Sequence, residues 1–530
     1  MRSTFYGFDI AAKGLFTAQR QMDVTAHNIA NAHTVGYTRQ RIIQSAIEPG
    51  NGSKWLHVAT QMTGGGVRIL SVDQIRDAFL DRQFRNKNTE ASYWDTRYST
   101  MYYIEDIFNN LASSYSISAL LGSFFGSISE LSKDPTGGAV RTNVVETALS
   151  MVTMLHSYYD QLSALMTQQD EMLVAQTLRI NDIGKQVAEL NESILKYELS
   201  GYVANDLRDK RNLLLDELSG FLNISYQEVL CGVKNINGQE LSMLEIRIGG
   251  DLFVDGIDCH TLVAAPDNTI ANDIWVAEML KKYGDPSVVP PEEMLHTVRF
   301  ATGPNAGSDV KITNGALRAY LDLRDGNTVD VQGIPYFKAQ LDKLAAALVG
   351  EFNKIHRQGW SMPYTDNSGV KHDSITNVDF FDPSGLTIDS IALSAAIKES
   401  VNYLAPSSVQ VVVDPATGDF ETGNNEIALT LYKLKDAIDI AVIGGFERYY
   451  NTFLAGLASE VGHARQAAEQ DMMLASSLGD QRMSVSAVSL DEEMTNLIRF
   501  QQAYNAAARV ITAIDETLDV LINRTGRVGL

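Results

Sequence analysis

Few residues in this chain are able to do chemistry, and their spacing works against it. None of the nine histidines belongs to a His-Glu-x-x-His helix. A metal pair of His27 and His33 fails on geometry, because that separation does not bring two side chains to one helical face. Cys231 and Cys259 have no CxxC partners, so no zinc site of ordinary spacing is available. The two cysteines allow one disulfide or two free thiols and exclude a stapled framework. No nucleophile elbow and no P-loop occur. The triplet Gly64 to Gly66 is followed by no helix start with Lys and Ser/Thr, so it reads as a turn rather than a phosphate cradle. The residues therefore nominate no catalytic, cofactor-binding or metal-ligating group, and the chain reads as a non-enzyme without a cofactor.

Two further clusters have simpler readings. Asp491, Glu492 and Glu493 could suggest a cation site, but Ser489 and Glu492 form an S-x-x-E capping box, and acids in a first helical turn are favoured by the helix dipole. Residues 497 to 505, with Arg499, Phe500, Gln501, Gln502 and Tyr504, could stack on nucleic acid. The net charge of -22 argues against that, since phosphate backbones would be repelled, and the spacing of Leu497, Gln501 and Tyr504 fits a helix-packing seam.

The elements that carry these residues are mostly helices. Residues 3 to 32 and 488 to 523 both show apolar positions at alternating steps of three and four: Phe8, Ala12, Leu15, Met22, Ala26 and Ile29 in the first, and Leu490, Met494, Leu497, Tyr504, Ala508, Ile511, Leu518 and Ile522 in the second. Such narrow seams must be buried against a partner, and the simplest partner for each is the other or its copy in a neighbouring subunit. Basic Arg2, Lys13, Arg20, Arg39 and Arg41 at one end could complement Asp491, Glu492 and Glu493 at the other. The first helix is expected from Ser3 or Thr4 to about Ala32. A capping box at Ser71 to Gln74 is expected to open a second helix running to about Asn110. Helices are also expected over 116–132, 139–199, 204–221, 314–323, 336–356 and 445–479. The period changes near Tyr226, where Leu244 to Ile248 and Leu252 to Val254 read as a hairpin. Pro286, Pro290 and Pro291 mark a loop, and Val378 to Phe381, Leu386 to Ile388 and Val409 to Val413 read as short strands. The fold class is thus mainly α with β-rich insertions. With 530 residues and 45% hydrophobic content there is material for several cores. No stretch approaches the roughly 20 apolar residues of a membrane span, and Asp9, Lys13, Arg20 and Asp23 interrupt any signal-peptide core. Those signals alone would place the chain in the cytoplasm, unless export uses an uncleaved signal.

The run Ala30-Asn31-Ala32-His33-Thr34-Val35-Gly36-Tyr37-Thr38-Arg39-Gln40 resembles the A-N-x-x-T-x-G-Y-x-R-Q signature of the flagellar axial proteins. Residues 489 to 504, from Ser489-Leu490-Asp491-Glu492-Glu493-Met494 to Phe500-Gln501-Gln502-Ala503-Tyr504, resemble the C-terminal helix of the same family, in the form found at the hook to filament junction. Leu207 to Leu218 supplies a third match. Ala487 replaces a common Gly, and Arg524 to Leu530 extends past the usual helical end. Gly36 suits a sharp exit from a helix through its tolerance of positive φ, Asn28 and Asn31 can satisfy groups left open at the helix end, and Tyr37 offers an apolar body with a polar tip.

The resemblance implies an elongated, multi-domain structural protein. Residues 1–45 plus 485–530 would form a coiled-coil inner-tube domain; 46–225, 311–358 and 441–484 a helical bundle; 226–310 a β-rich hairpin insertion; and 359–440 a small outer β-rich or mixed domain. The assembly motif would be Ala30, Asn31, Thr34, Gly36, Tyr37, Arg39 and Gln40. The packing positions of the last helix would be Leu490, Met494, Leu497, Phe500, Tyr504, Ala508, Ile511 and Leu518. Implied partners are further copies in a ring, the hook protein, the second junction protein and an export chaperone on the C-terminal helix, with no nucleic acid and no membrane insertion. The implied location is the extracellular flagellum, reached by type III export without a cleaved signal. Hook or rod proteins, and a secreted adhesin or hydrolase on an axial anchor, are the competing readings.

Overall fold

The computed structural model describes residues 5–47, 64–109, 116–266, 294–365, 371–412, 424–437 and 443–520, with 279, 280, 282, 284, 440 and 522. Helix α1 (Tyr6–Ala30) leads into a hairpin of β1 (Gln40–Ala46) and β2 (Val67–Gln74). Four helices follow: α2 (Ala78–Asn109), α3 (Ile117–Lys133), α4 (Gly138–Glu198) and α5 (Asn205–Phe221). A four-stranded antiparallel sheet runs in the order β3 (Ile224–Lys234), β4 (Glu240–Ile248), β5 (Asp251–Asp255), β6 (Asp258–Cys259), and β7 (Leu262–Pro266) pairs with β8 (His296–Phe300). Then come α6 (Ala316–Asp325), α7 (Ile334–His356), the two-residue strands β9 (Tyr364–Thr365) and β10 (Lys371–His372), α8 (Ala395–Glu399), α9 (Glu426–Lys433), α10 (Phe446–Ser486) and α11 (Leu490–Asp519). No described helix is long and apolar enough to cross a membrane.

Helix α4 organises both cores. At 61 residues it is about 90 Å long, at 1.5 Å per residue. Its first half contributes Val144, Met151, Leu155, Tyr158, Leu162 and Leu165 to a helical core shared with α2, α3, α7 and α10. Its second half contributes Leu173, Ile180, Ile183 and Val187 to a second core closed by α5 and the sheet. Buried asparagines tie strands to this half: Asn181 donates to the Leu262 carbonyl and accepts from its amide, both at 2.7 Å, and Asn191 donates to the carbonyls of Leu244 and Gly256. Gly184 lets the sheet close in, for a Cβ there would lie 2.6 Å from Phe253 and 2.8 Å from the Cys259 sulfur. Both cysteines are free thiols.

Helices α2 and α10 pack antiparallel. Lys87 meets Asp471 (3.5 Å), Trp94 lies edge-on to His463 (5.3 Å between rings) and Arg97 donates to Glu460 (2.7 Å), so ascending positions on one helix meet descending positions on the other.

Several expectations need correction. Ser71 to Gln74 is the end of β2, not a helix start: pairing with Gln40 to Ile43 claims its backbone. Asp77 serves instead, its carboxylate accepting from Phe79 N at 2.8 Å. Val378 to Phe381 and Leu386 to Ile388 form no strands. Phe380, Phe381 and Ile388 turn into the helical core, where they pack with Phe124 and Phe352, while Leu386 stays exposed, and burial rather than a sheet partner fixes the path of the chain here. Val409 to Val412 likewise form no strand, and Val413 lies outside the described residues, as do Ser3, Thr4, Pro286, Pro290, Pro291 and Arg524 to Leu530. Helix α10 continues to Ser486, seven residues beyond Gly479.

Candidate assembly interface

Helices α1 and α11 pack along each other, and α1 also rests on the β1–β2 hairpin. Held from two sides, α1 buries small or polar residues at its closest approaches: Ala11, Thr17, Ala18, Thr25 and Asn28. The expected stripe through Phe8 and Ala26 is therefore displaced by about one residue, leaving both exposed. On α11, Leu497, Phe500, Tyr504, Ala508, Ile511 and Leu518 are partly covered, and Ile514 packs against Gly7. Leu490 and Met494 are exposed within the chain. The reason lies between them, since Glu493 is drawn inward and turns its neighbours outward.

Glu493 is drawn in by Asn28 and Arg39. The Asn28 amide nitrogen donates to the Gln40 carbonyl (2.9 Å) and to Glu493 Oε2 (3.1 Å), while its oxygen accepts from Gln40 N (3.0 Å) and from the Tyr37 hydroxyl (2.8 Å). One buried side chain thus fixes the end of α1, the start of β1 and the first turn of α11. Arg39 donates through Nε to Glu493 and through Nη1 to Glu492, both at 2.7 Å, and its own amide donates to the Ser486 carbonyl at 2.9 Å. The acid-rich first turn also keeps its helix-start role, with Ser489 accepting from Glu492 N at 3.5 Å. Charge complementarity between the chain ends is thereby realised at Arg39. Because Glu493 is buried, this pair resists screening better than exposed pairs do.

The rest of the motif forms the turn and its anchor. Ala30 ends α1. Asn31 follows, donating to the His27 carbonyl (3.0 Å) and accepting from the Thr34 hydroxyl (3.2 Å). Gly36 sits at φ +79° above Leu213 of α5, a conformation costly for any residue with a Cβ. Gln40 donates to Asp206 (2.8 Å) and accepts from Asn205 (3.2 Å), which also donates to the Val72 carbonyl (2.7 Å). Thr38 N donates to Asp209 at 2.9 Å. Burial, with the carboxylates of Asp206, Asp209 and Glu493 nearby, pushes the Tyr37 hydroxyl above its ordinary range, so it stays protonated and donating. Burial also raises the Asp209 carboxyl, against the opposing Thr38 N–H and the Arg76 charge.

From Asp209 a ladder of charges runs into the bundle. Arg76 lies 3.7 Å from Asp209 and donates to Asp81 at 3.0 Å. Arg482 of α10 reaches Asp81 (3.6 Å) and Asp216 (2.6 Å), and Arg85 donates to the same Asp216 at 2.7 Å. Five elements, α1, β1, α5, α10 and α11, are thus joined with α2 through polar bonds rather than a continuous apolar core.

Asn205, Asp206, Asp209 and Glu493 were not among the nominated site residues. Asp209 stands three and four places after Asp206 and Asn205 on α5, a helical spacing available in the sequence; the inward turn of Glu493 was not. Elsewhere, Gly64 to Gly66 is no cradle: Gly66 accepts from and Gly65 donates to Ile47, each at 2.8 Å, extending the hairpin. His27 faces Asp206 at 3.4 Å, and among the described residues no cluster of three or more His, Cys, Asp or Glu is placed to hold a metal ion.

Residues 101–371 match the model for the helical domain of the flagellar hook-associated protein FlgK, just over half the chain. Residues 8–38 match the flagella basal body rod protein model and 480–524 the C-terminal model of the FlgEFG rod proteins. Flagellar hook-associated protein 1 of Bacillus subtilis is 30% identical over 545 residues, covering 100% of both chains. The chain belongs to the flagellar hook-associated protein family. Hook-associated protein 1 of Salmonella typhimurium is 24% identical over 594 residues, and that of Escherichia coli 24% over 563, each covering 97% of this chain and 98% of the other. The flagellar hook junction protein FlgK from Burkholderia pseudomallei shares the fold, with a TM-score of 0.55 and 14% identity over 76% of this chain and 100% of that one. Membership in the hook-associated family gives the chain a structural role in the bacterial flagellum, an extracellular appendage, among other axial proteins.

Proposed function

We propose that this chain forms the ring that joins hook to filament and lets the filament assemble. Its work is mechanical rather than catalytic. The observation that carries this reading is the pairing of α1 with α11 through Asn28 and Glu493, 465 positions apart. A chain whose two ends close on each other presents one continuous two-helix face to its neighbours, with Leu490 and Met494 left on the outside for them. In this reading residues 1–45 plus 485–530 line the inner tube, and 46–225, 311–358 and 441–484 form the next shell. The stretches 226–310 and 359–440 face outward. Ala30 to Gln40 is the assembly motif. The partners are further copies of the chain, the hook protein and the second junction protein, with an export chaperone covering the C-terminal helix beforehand. Export runs through the flagellar type III apparatus without a cleaved signal. Immunogold labelling at the hook to filament boundary tests the reading. Deleting residues 490–523 should leave the central cores folded and abolish incorporation; normal filaments from that strain would overturn it.

A further inference from the structure

Where α4 ends, apolar side chains that belong to neither core gather at the surface. Tyr202 is 64% exposed and Ile236 78%, with Tyr197 and Leu199 beside them. The surface is preformed. Ile236 N donates to the Leu199 carbonyl at 3.2 Å, the Ile236 side chain lies over Gly201, which sits at φ +82°, and the Tyr197 and Tyr202 rings are 6.3 Å apart. A cavity of about 160 Å³ opens next to it, with Tyr202, Val203 and Leu241 on its walls beside the Glu198–Arg208 ion pair and polar Asn235, Gln239, Glu240 and Ser242. An aromatic ring at the wall of a pocket of about one side chain's size is a common element of a binding hot spot, and clustered exposed apolar groups mark interaction surfaces.

The same chain carries a knob. In the β1–β2 hairpin Ile43 pairs with Ser71 and Gln44 with Ile69, so Leu70 is an extra, bulged residue. It is 54% exposed, next to exposed Ile69. Bulges of this kind re-aim a side chain away from the ladder.

We propose that the Tyr197, Tyr202 and Ile236 surface of one molecule receives the Ile69–Leu70 knob of a second copy of this chain. Two different patches on one subunit make a heterologous contact, the kind that repeats head to tail around a ring. The patch is continuous with the assembly motif: Tyr202 and Val203 lead directly into Asn205 and Asp206, which hold Gln40 and the Val72 carbonyl. Charges agree as well, with exposed Arg68 beside the knob and exposed Glu240 at the cavity edge. This inference rests on the reading of the chain as a ring subunit and adds which surfaces meet.

A photo-reactive residue placed at Ile236 in the full chain, irradiated in isolated hook–filament junctions, tests it. The expected product is a homodimer whose cross-linked peptide falls within residues 40–74, several-fold more abundant than from the same residue placed at exposed Val329. Leu70→Asp and Tyr202→Ser, both at exposed positions, should each reduce the adduct and the junction occupancy. Junctions that form normally but give an adduct with another polypeptide, an intrachain adduct or none would overturn the contact while leaving the ring reading intact. Absence of the wild-type chain from the junction would overturn the reading beneath it.

Discussion

Asn28 and Glu493 share a hydrogen bond of 3.1 Å although 465 residues separate them. Each also has a second duty, Asn28 in fixing Gln40 and Glu493 in pairing Arg39. Removing either partner leaves buried donors unsatisfied at about 1–3 kcal/mol per group.

Glu493→Ala should therefore weaken the docking of α11 on α1 by about 1–3 kcal/mol, with Asn28→Ala costing more because four hydrogen bonds end on that amide. Hydrogen exchange of the α11 amides, with and without each substitution, reads the effect. Glu493→Gln, which keeps the acceptor for Asn28 and loses the charge opposite Arg39, should fall between wild type and Glu493→Ala.

His356 gives the helical core a pH dependence. Fully buried, it donates from Nδ1 to the Val378 carbonyl (2.8 Å) and accepts from Ala405 N through Nε2 (3.0 Å), an arrangement only the neutral ring can make. Burial lowers its pKa to about 4. In the unfolded chain it titrates near its ordinary value, so the unfolded state binds the extra proton first. Stability is then full above about pH 6.5 and falls as pH drops toward 4, by on the order of 3 kcal/mol. Urea titrations across that range should show this slope in the wild type and a flatter one in His356→Gln.

Gly184→Ala should displace the sheet from α4, because the new methyl meets Phe253 and Cys259. Overpacking of this sort costs about 1–3 kcal/mol. Burial pushes the Cys259 thiol up to about 11, which keeps it protonated and slow to alkylate at pH 8. Iodoacetamide labelling of Cys259 should be slow in the wild type and faster in the Gly184→Ala protein.

Exchange should also differ between helices. Glu493 is the one buried residue of α11 among those described, whereas α4 buries residues along its whole length. Amides of α11 in the isolated chain should exchange through local opening, far faster than those around Leu162 and Ile180. Equal protection would mean that α11 has a partner other than α1.

The helices were legible wherever one face was apolar over many turns, as on α4, whose expected span of 139–199 became Gly138–Glu198. The terminal pairing was legible too, but its register was not. A heptad reading favours large residues such as Phe8, while the closest approach of two helices and a hairpin selects Ala11, Ala18 and Thr25. Between 360 and 440, alternation resembled strands because Phe380, Phe381 and Ile388 insert into a core from an irregular chain, and nothing local separates that from a sheet. The polar node was half visible: Tyr37, Arg39 and Gln40 stood in the motif, and Tyr37 finds its acceptor nearby on Asn28, but the acceptors of Arg39 and Gln40 on α11 and α5 lie far along the chain and follow from tertiary structure alone.

The nested order of contacts sets a timetable for folding. The core that begins at Met101 is not complete until Leu457 and Val461 have been made, and α1 waits for Glu493. Contacts so distant in sequence form slowly, since the loop between them must be closed first. A chain emerging from the ribosome thus remains unfinished almost to its last residues. In the proposed export route, that delay is the interval in which the apparatus takes up a chain whose larger core, unlike the smaller one between Leu173 and Leu317, is still open.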